Sequence, residues 1–188
     1  MKIFRLLSAG LLLGFGLIST AFGETVTLKF HSFAPAPASQ NSKFVQPWAD
    51  RIEEQSGGEL KVETYFAMQL GGKPPQLVDQ VRDGVVDIIW TVAGYTPGRF
   101  PKIEVFDLPF LPGSAEATSQ AAQEFAQTIA TEELKDFKIL AVHVHSPGKI
   151  HTKDRLVMQL SDLEGLKMRG PTRLSLIHIS EPTRLHTI

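Results

Sequence analysis

Cysteine is absent from all 188 residues, which excludes disulfides, thiolate metal centres and cysteine nucleophiles. Tryptophan and tyrosine are scarce, with two of each, so every side chain that can pack and hydrogen-bond at once has to be located individually. Charge of one sign is lacking too: 19 basic residues stand against 20 acidic ones. That balance argues against a nucleic-acid partner, which calls for a basic face. No GxSxG elbow and no HExxH pair occurs, and Gly72-Lys73-Pro74 lacks the glycine spacing and the following Ser or Thr of a phosphate loop. The acidic pair Glu53-Glu54 falls on the solvent side of a predicted helix. Neither catalysis nor a cofactor is expected.

A long hydrophobic run is also missing, with one short exception. Lys2 and Arg5 precede an uncharged apolar stretch from Leu6 to Ile18, and Ala21-Phe22-Gly23 follows with small residues two apart. The stretch falls short of the ~20 residues that span a bilayer. Basic head, short apolar run and small-x-small exit are the parts of a secretory signal, cleaved near Gly23. No cysteine follows, so a lipid anchor is not expected. Residues 1–23 are therefore read as a signal and the mature chain as periplasmic.

Past that point the hydrophobic period alternates between two and 3.6. Thr25 to Ser32 alternates apolar and polar residues and reads as a strand. Ser39 is a candidate N-cap for a helix to Gln55 that carries Phe44, Val45, Trp48 and Ile52 on one face, and Ser56-Gly57-Gly58 stops it. Leu60 to Phe66 is a second strand. A loop to Lys73, a short helix begun by Pro74-Pro75, and an apolar run from Val85 to Thr91 follow. That run predicts a strand buried on both faces of a parallel sheet. A helix from Ser114 to about Lys135 and a strand from Phe137 to His145 complete an α/β pattern.

The order of these pieces resembles the solute receptors of tripartite ATP-independent periplasmic (TRAP) transporters. Six stretches carry the likeness: residues 28–32 (LKFHS), 44–57 (FVQPWADRIEEQSG), 66–71 (FAMQLG), 80–88 (QVRDGVVDI), 106–110 (FDLPF) and 162–169 (DLEGLKMR). The resemblance implies a periplasmic-binding-protein-like fold of two α/β lobes closing on a small organic acid. It further implies delivery of that acid to small and large integral membrane subunits, driven by an ion gradient. Residues 24–147 would form the first lobe and 148–173 the start of the second. Residues 174–188 no longer resemble the family; they look like translated sequencing adapter and are read as a non-native tail. A single lobe would bind ligand weakly.

The same likeness selects binding residues. An anion is held best by arginine's planar fork, and Arg169 stands where the family clamps the substrate carboxylate. A second cationic contact would fall near residues 148–151, but Lys149 replaces arginine there and cannot form the fork; His151 is the other candidate in that segment. In the first lobe the candidates are residues that follow strand ends, where α/β sheets present ligands: Phe33 after the first strand, Gln69 after the second, and Trp90, Thr91 and Tyr95 around the third. Aromatic side chains at these points favour a substrate with an apolar body over a small dicarboxylate. An alternative reading makes the chain a periplasmic metal-ion binder: His143 and His145 alternate onto one face of the predicted strand, and His151 would supply a third ligand.

Overall fold

The computed structural model describes residues 24–108, 111, 113–146 and 149–167. Strand β1 (Val26–Ser32) forms the centre of a three-stranded sheet, flanked by β2 (Leu60–Tyr65) and β3 (Ile88–Trp90). Both pairings are parallel, with Phe30 opposite Thr64 on one side and Ile88 on the other. Parallel neighbours require crossovers. The first is a π turn (Asn41–Val45) leading into helix α1 (Gln46–Gln55), and the second is helix α2 (Leu77–Arg82). Helix α3 (Ala115–Thr128) follows, capped where the Ser114 hydroxyl accepts from the Ala117 N–H. Among the described residues no helix is long and apolar enough to cross a membrane.

Each face of the sheet has its own core. Phe30, Val45, Ala49 and Val62 are buried together, with Trp48, Ile52, Ile88 and Trp90 packed against them. On the other side Val78, Phe100, Ala126, Ala130 and Leu134 form a second cluster that takes Ile89, Phe125 and Phe137. Strand β3 therefore divides its side chains by period two, Ile88 and Trp90 to one layer and Ile89 to the other. Leu77 and Val78 are almost completely buried, each contributing roughly 1.5–3 kcal/mol of burial.

The helix stop after α1 is as expected: Gly57 and Gly58 have φ of +62° and +86°, and the Gly58 N–H returns to the Glu53 carbonyl at 2.9 Å. Four local expectations are corrected. Phe44 is 60% exposed, because the π turn that holds it shifts the helical phase; Val45, Trp48 and Ile52 pack in the core as expected, joined by Ala49. The third strand is short. Val85 and Val86 direct their N–H groups to the Gln80 carbonyl, ending α2, and the contact with β1 begins only where Asp87 donates to Lys29. Helix α3 ends at Thr128 rather than near Lys135: the Ile129 and Ala130 N–H groups both turn to the Phe125 carbonyl, in a sequence rich in β-branched residues. Finally, Phe137 to His145 forms no ladder among the described residues. Two of its amides go to side chains of α3: Val142 N–H donates to Gln123 at 2.6 Å, and Val144 N–H to the Ser119 hydroxyl at 3.0 Å.

Candidate functional site

Parallel strands bring their carboxyl ends to one edge of the sheet, and there Ser32 of β1 lies beside Trp90 of β3. The next residue of the first strand, Phe33, stacks on Trp90 with ring centroids 5.4 Å apart and planes 13° apart. Tyr95, in the short helical turn Ala93–Tyr95, meets Phe33 edge-on at 5.1 Å and 66°. Three residues singled out from the sequence thus form one half-buried aromatic cluster. Each such pair contributes about 0.5–1.5 kcal/mol beyond its area. The turn that carries Tyr95 is tied to α2 through Arg99, whose guanidinium bonds Asp79 at 2.7 Å.

Trp90 has a polar partner from far along the chain. Its indole N–H donates to His143 Nε2 at 2.8 Å. The two rings are 5° from parallel with centroids 5.7 Å apart, which together with that bond is an edge-to-edge, coplanar arrangement rather than a stack. An indole can only donate, so His143 is neutral and carries its proton on Nδ1. His143 is exposed over much of its surface, yet desolvation, and secondarily the nearby His145, hold its pKa below the ordinary value. His145 uses Nδ1 to donate to the Ser146 carbonyl, and His151 is exposed. Among the described residues no group of three His, Asp or Glu side chains is placed to hold a metal ion. The alternative metal reading gains no support, since the strand that would have aligned His143 with His145 is not formed.

The loop after β2 is stitched to the segment after β1. Ala67 and Met68 adopt left-handed φ of +51° and +59°, at a cost of roughly 1–2 kcal/mol per residue. Their N–H groups donate to the Ala34 and Ser32 carbonyls at 3.0 and 3.1 Å. Gln69 is exposed and its side-chain oxygen accepts from the Phe66 N–H at 3.0 Å, a bond internal to the loop. The residue that holds this loop is one the sequence reading passed over. His31 is fully buried; its Nδ1 bonds Gln80 at 2.7 Å, and its Nε2 faces the Leu70 N–H at 3.4 Å. Gln80 in turn donates to the Gly71 carbonyl at 3.1 Å. A histidine at the buried end of β1, next to Phe30, was the available signal, since a buried imidazole must find two partners.

Two hydroxyls lie at the same sheet edge. Ser32 Oγ and Thr91 Oγ1 are buried and, among the described residues, have no hydrogen-bond partner. A buried hydroxyl can both donate and accept, so the aromatic cluster has polar groups beside it. Lys149 and His151 are exposed, and among the described residues neither bonds to the cluster. Arg169, the expected carboxylate clamp, lies outside the described residues, as do residues 1–23 and the 174–188 tail.

Comparison with known proteins identifies the family of the chain. A family model described as bacterial extracellular solute-binding protein, family 7, matches residues 31–180, extending past Arg173. A solute-binding protein of Verminephrobacter eiseniae is 30% identical over 164 residues, covering 86% of this chain and 48% of its own length. The chain thus spans about half the length of the curated relatives it matches. Among solved structures, a marine-metagenome TRAP solute-binding protein specific for aromatic acid ligands, in complex with 3-hydroxybenzoate, superposes with a TM-score of 0.81 at 63% identity. The match covers 84% of this chain and 49% of that one. A TRAP solute-binding protein from Rhodoferax ferrireducens, holding copurified benzoate, gives 0.76 at 56% identity, with 79% of this chain and 46% of that one covered. The chain belongs to the family 7 bacterial extracellular solute-binding proteins, the periplasmic substrate receptors of TRAP transporters, which are not enzymes.

Proposed function

We propose that this chain provides the first lobe, residues 24–147, and the opening of the second lobe, residues 148–173, of an exported receptor that binds an aromatic carboxylate and hands it to a TRAP-type membrane permease. The observation that carries this reading is the Phe33–Trp90–Tyr95 cluster at the carboxyl edge of a parallel sheet. Flat apolar surface with a few polar groups suits a planar ring better than a small dicarboxylate. The relatives that hold benzoate and 3-hydroxybenzoate support the same class. In this reading the ring lies against the cluster, Ser32 and Thr91 serve its polar substituents, and Arg169 grips the carboxylate through two parallel bonds. Lys149 and His151 add positive charge or donors from the second lobe. The ligand favours the closed form because both lobes touch it. Uptake draws on an ion gradient in the permease, so the receptor binds no nucleotide.

Tryptophan fluorescence tests the reading, because the chain has only Trp48 and Trp90. In a Trp48→Phe background, 3-hydroxybenzoate and benzoate at high concentration should change Trp90 emission saturably, with the weak affinity expected of a chain that holds mainly one lobe, and succinate should not. Phe33→Ala should weaken the aromatic acids about threefold to tenfold, the loss of one aromatic pair. Equal responses to succinate and benzoate, or none to any aromatic acid, would remove the proposal.

A further inference from the structure

We propose that His143 is the positioning residue of the aromatic site: it fixes the plane of Trp90 by accepting the indole N–H, and so sets affinity for a ring-bearing ligand. This inference rests on the aromatic-acid reading and adds to it a residue that reading does not require. Three observations carry it. The bond is short and in plane, 2.8 Å between Trp90 Nε1 and His143 Nε2 with the rings 5° apart. An indole held this way cannot rotate about its outer side-chain torsion without breaking the bond, and it is the same ring on which Phe33 stacks.

His143 is itself held from both sides. Val142 N–H donates to Gln123 at 2.6 Å, Val144 N–H donates to Ser119 Oγ at 3.0 Å, and that hydroxyl donates back to the Val144 carbonyl at 3.2 Å. Helix α3 therefore fixes the backbone on either side of His143, and His143 fixes the indole. The chain spends backbone hydrogen bonds of an extended segment on helix side chains, and what this arrangement places at the sheet edge is one imidazole nitrogen. A side chain that only filled space would need neither the planarity nor the tether.

A platform ordered before binding loses less freedom when a ligand stacks on it. Loss of the acceptor should therefore show in affinity. His143→Leu is expected to weaken 3-hydroxybenzoate binding about fivefold, the scale of one net hydrogen bond. In His143→Gln the side-chain oxygen can take the place of Nε2 and should restore affinity to within about twofold of the parent. The parent here is Trp48→Phe, read by Trp90 fluorescence, with succinate as the control ligand. A second readout needs no ligand. In the chain that keeps Trp48, the two tryptophans give two indole N–H signals in a 1H–15N correlation spectrum. The Trp90 signal should move upfield in His143→Leu and return in His143→Gln, and the Trp48 signal should stay in place. A Trp90 signal that does not move in His143→Leu overturns the inference whether or not an aromatic acid binds. Unchanged affinity in His143→Leu, in a parent that does bind, overturns it as well and leaves the aromatic-acid reading standing. A parent that binds no aromatic acid overturns that reading and, with it, the claim that the bond sets affinity.

Discussion

Replacing Gln80 with leucine should show how the loop beside the site is held. Gln80 Oε1 accepts the Nδ1 proton of His31, a residue with no exposed surface, and Gln80 Nε2 donates to the Gly71 carbonyl. After Gln80→Leu the buried imidazole has no good tautomer. With the proton on Nδ1 it keeps the Leu70 N–H and leaves its own donor unpaired; with the proton on Nε2 it opposes the Leu70 N–H. One buried unsatisfied group costs about 1–3 kcal/mol, and the lost Gly71 bond adds about 1. Extra apolar burial by leucine offsets about 1 kcal/mol, so a net loss of about 2 kcal/mol is expected. Gln80→Glu still accepts from Nδ1 and should lose about 1 kcal/mol less. Urea unfolding followed by tryptophan fluorescence gives the difference, and amide exchange at Leu70 should quicken in the leucine variant alone. A stability change below about 0.5 kcal/mol, with Leu70 exchange unaltered, would refute the argument that His31 and Gln80 hold the loop.

Two further outcomes follow from groups away from the site. The Glu133 carboxylate accepts from both the Lys102 and Ile103 N–H groups, at 2.9 and 2.8 Å, where the helical turn Ile103–Asp107 begins; Glu133→Ala should lower stability by about 1–2 kcal/mol and Glu133→Gln by less, read as thermal midpoints. Partial burial, then Glu104, raise the pKa of Asp107, with His145 opposing. A carboxyl whose folded value is raised binds its proton more tightly in the folded chain. The penalty is therefore absent below the usual carboxylate pKa near about 4 and is fully present once pH exceeds the raised value. Asp107→Asn should raise the thermal midpoint at pH 7 and leave it unchanged near pH 3; a lower midpoint at pH 7 would contradict the assignment.

Much of the scaffold was legible because its signals are local. The alternation from Thr25 to Ser32 and the run from Leu60 became β1 and β2, and the paired glycines closed α1. The site was partly legible by the same logic: Phe33, Trp90 and Tyr95 follow or end strands, and parallel strands deliver such positions to one edge. Where the reading failed, a local pattern had two outcomes that only a partner could separate. Phe137 to His145 alternates like a strand, but α3 supplies two of the hydrogen bonds that a neighbouring strand would have given. Phe44 looks like a core residue until the π turn changes the phase of the helix that carries it.

The sequence by itself determined the order of elements from β1 to α3, the residues able to stop them, the family and its substrate-receptor role, because periodicity, turn chemistry and ordered motifs are written along the chain. Tertiary structure alone decided which polar atoms meet. Trp90 and His143 are 53 residues apart, and His31 and Gln80 are 49 apart. A buried donor must be paired, but the chain's local pattern states only that a partner is needed. Which residue answers is fixed when the two crossovers and α3 close over the sheet.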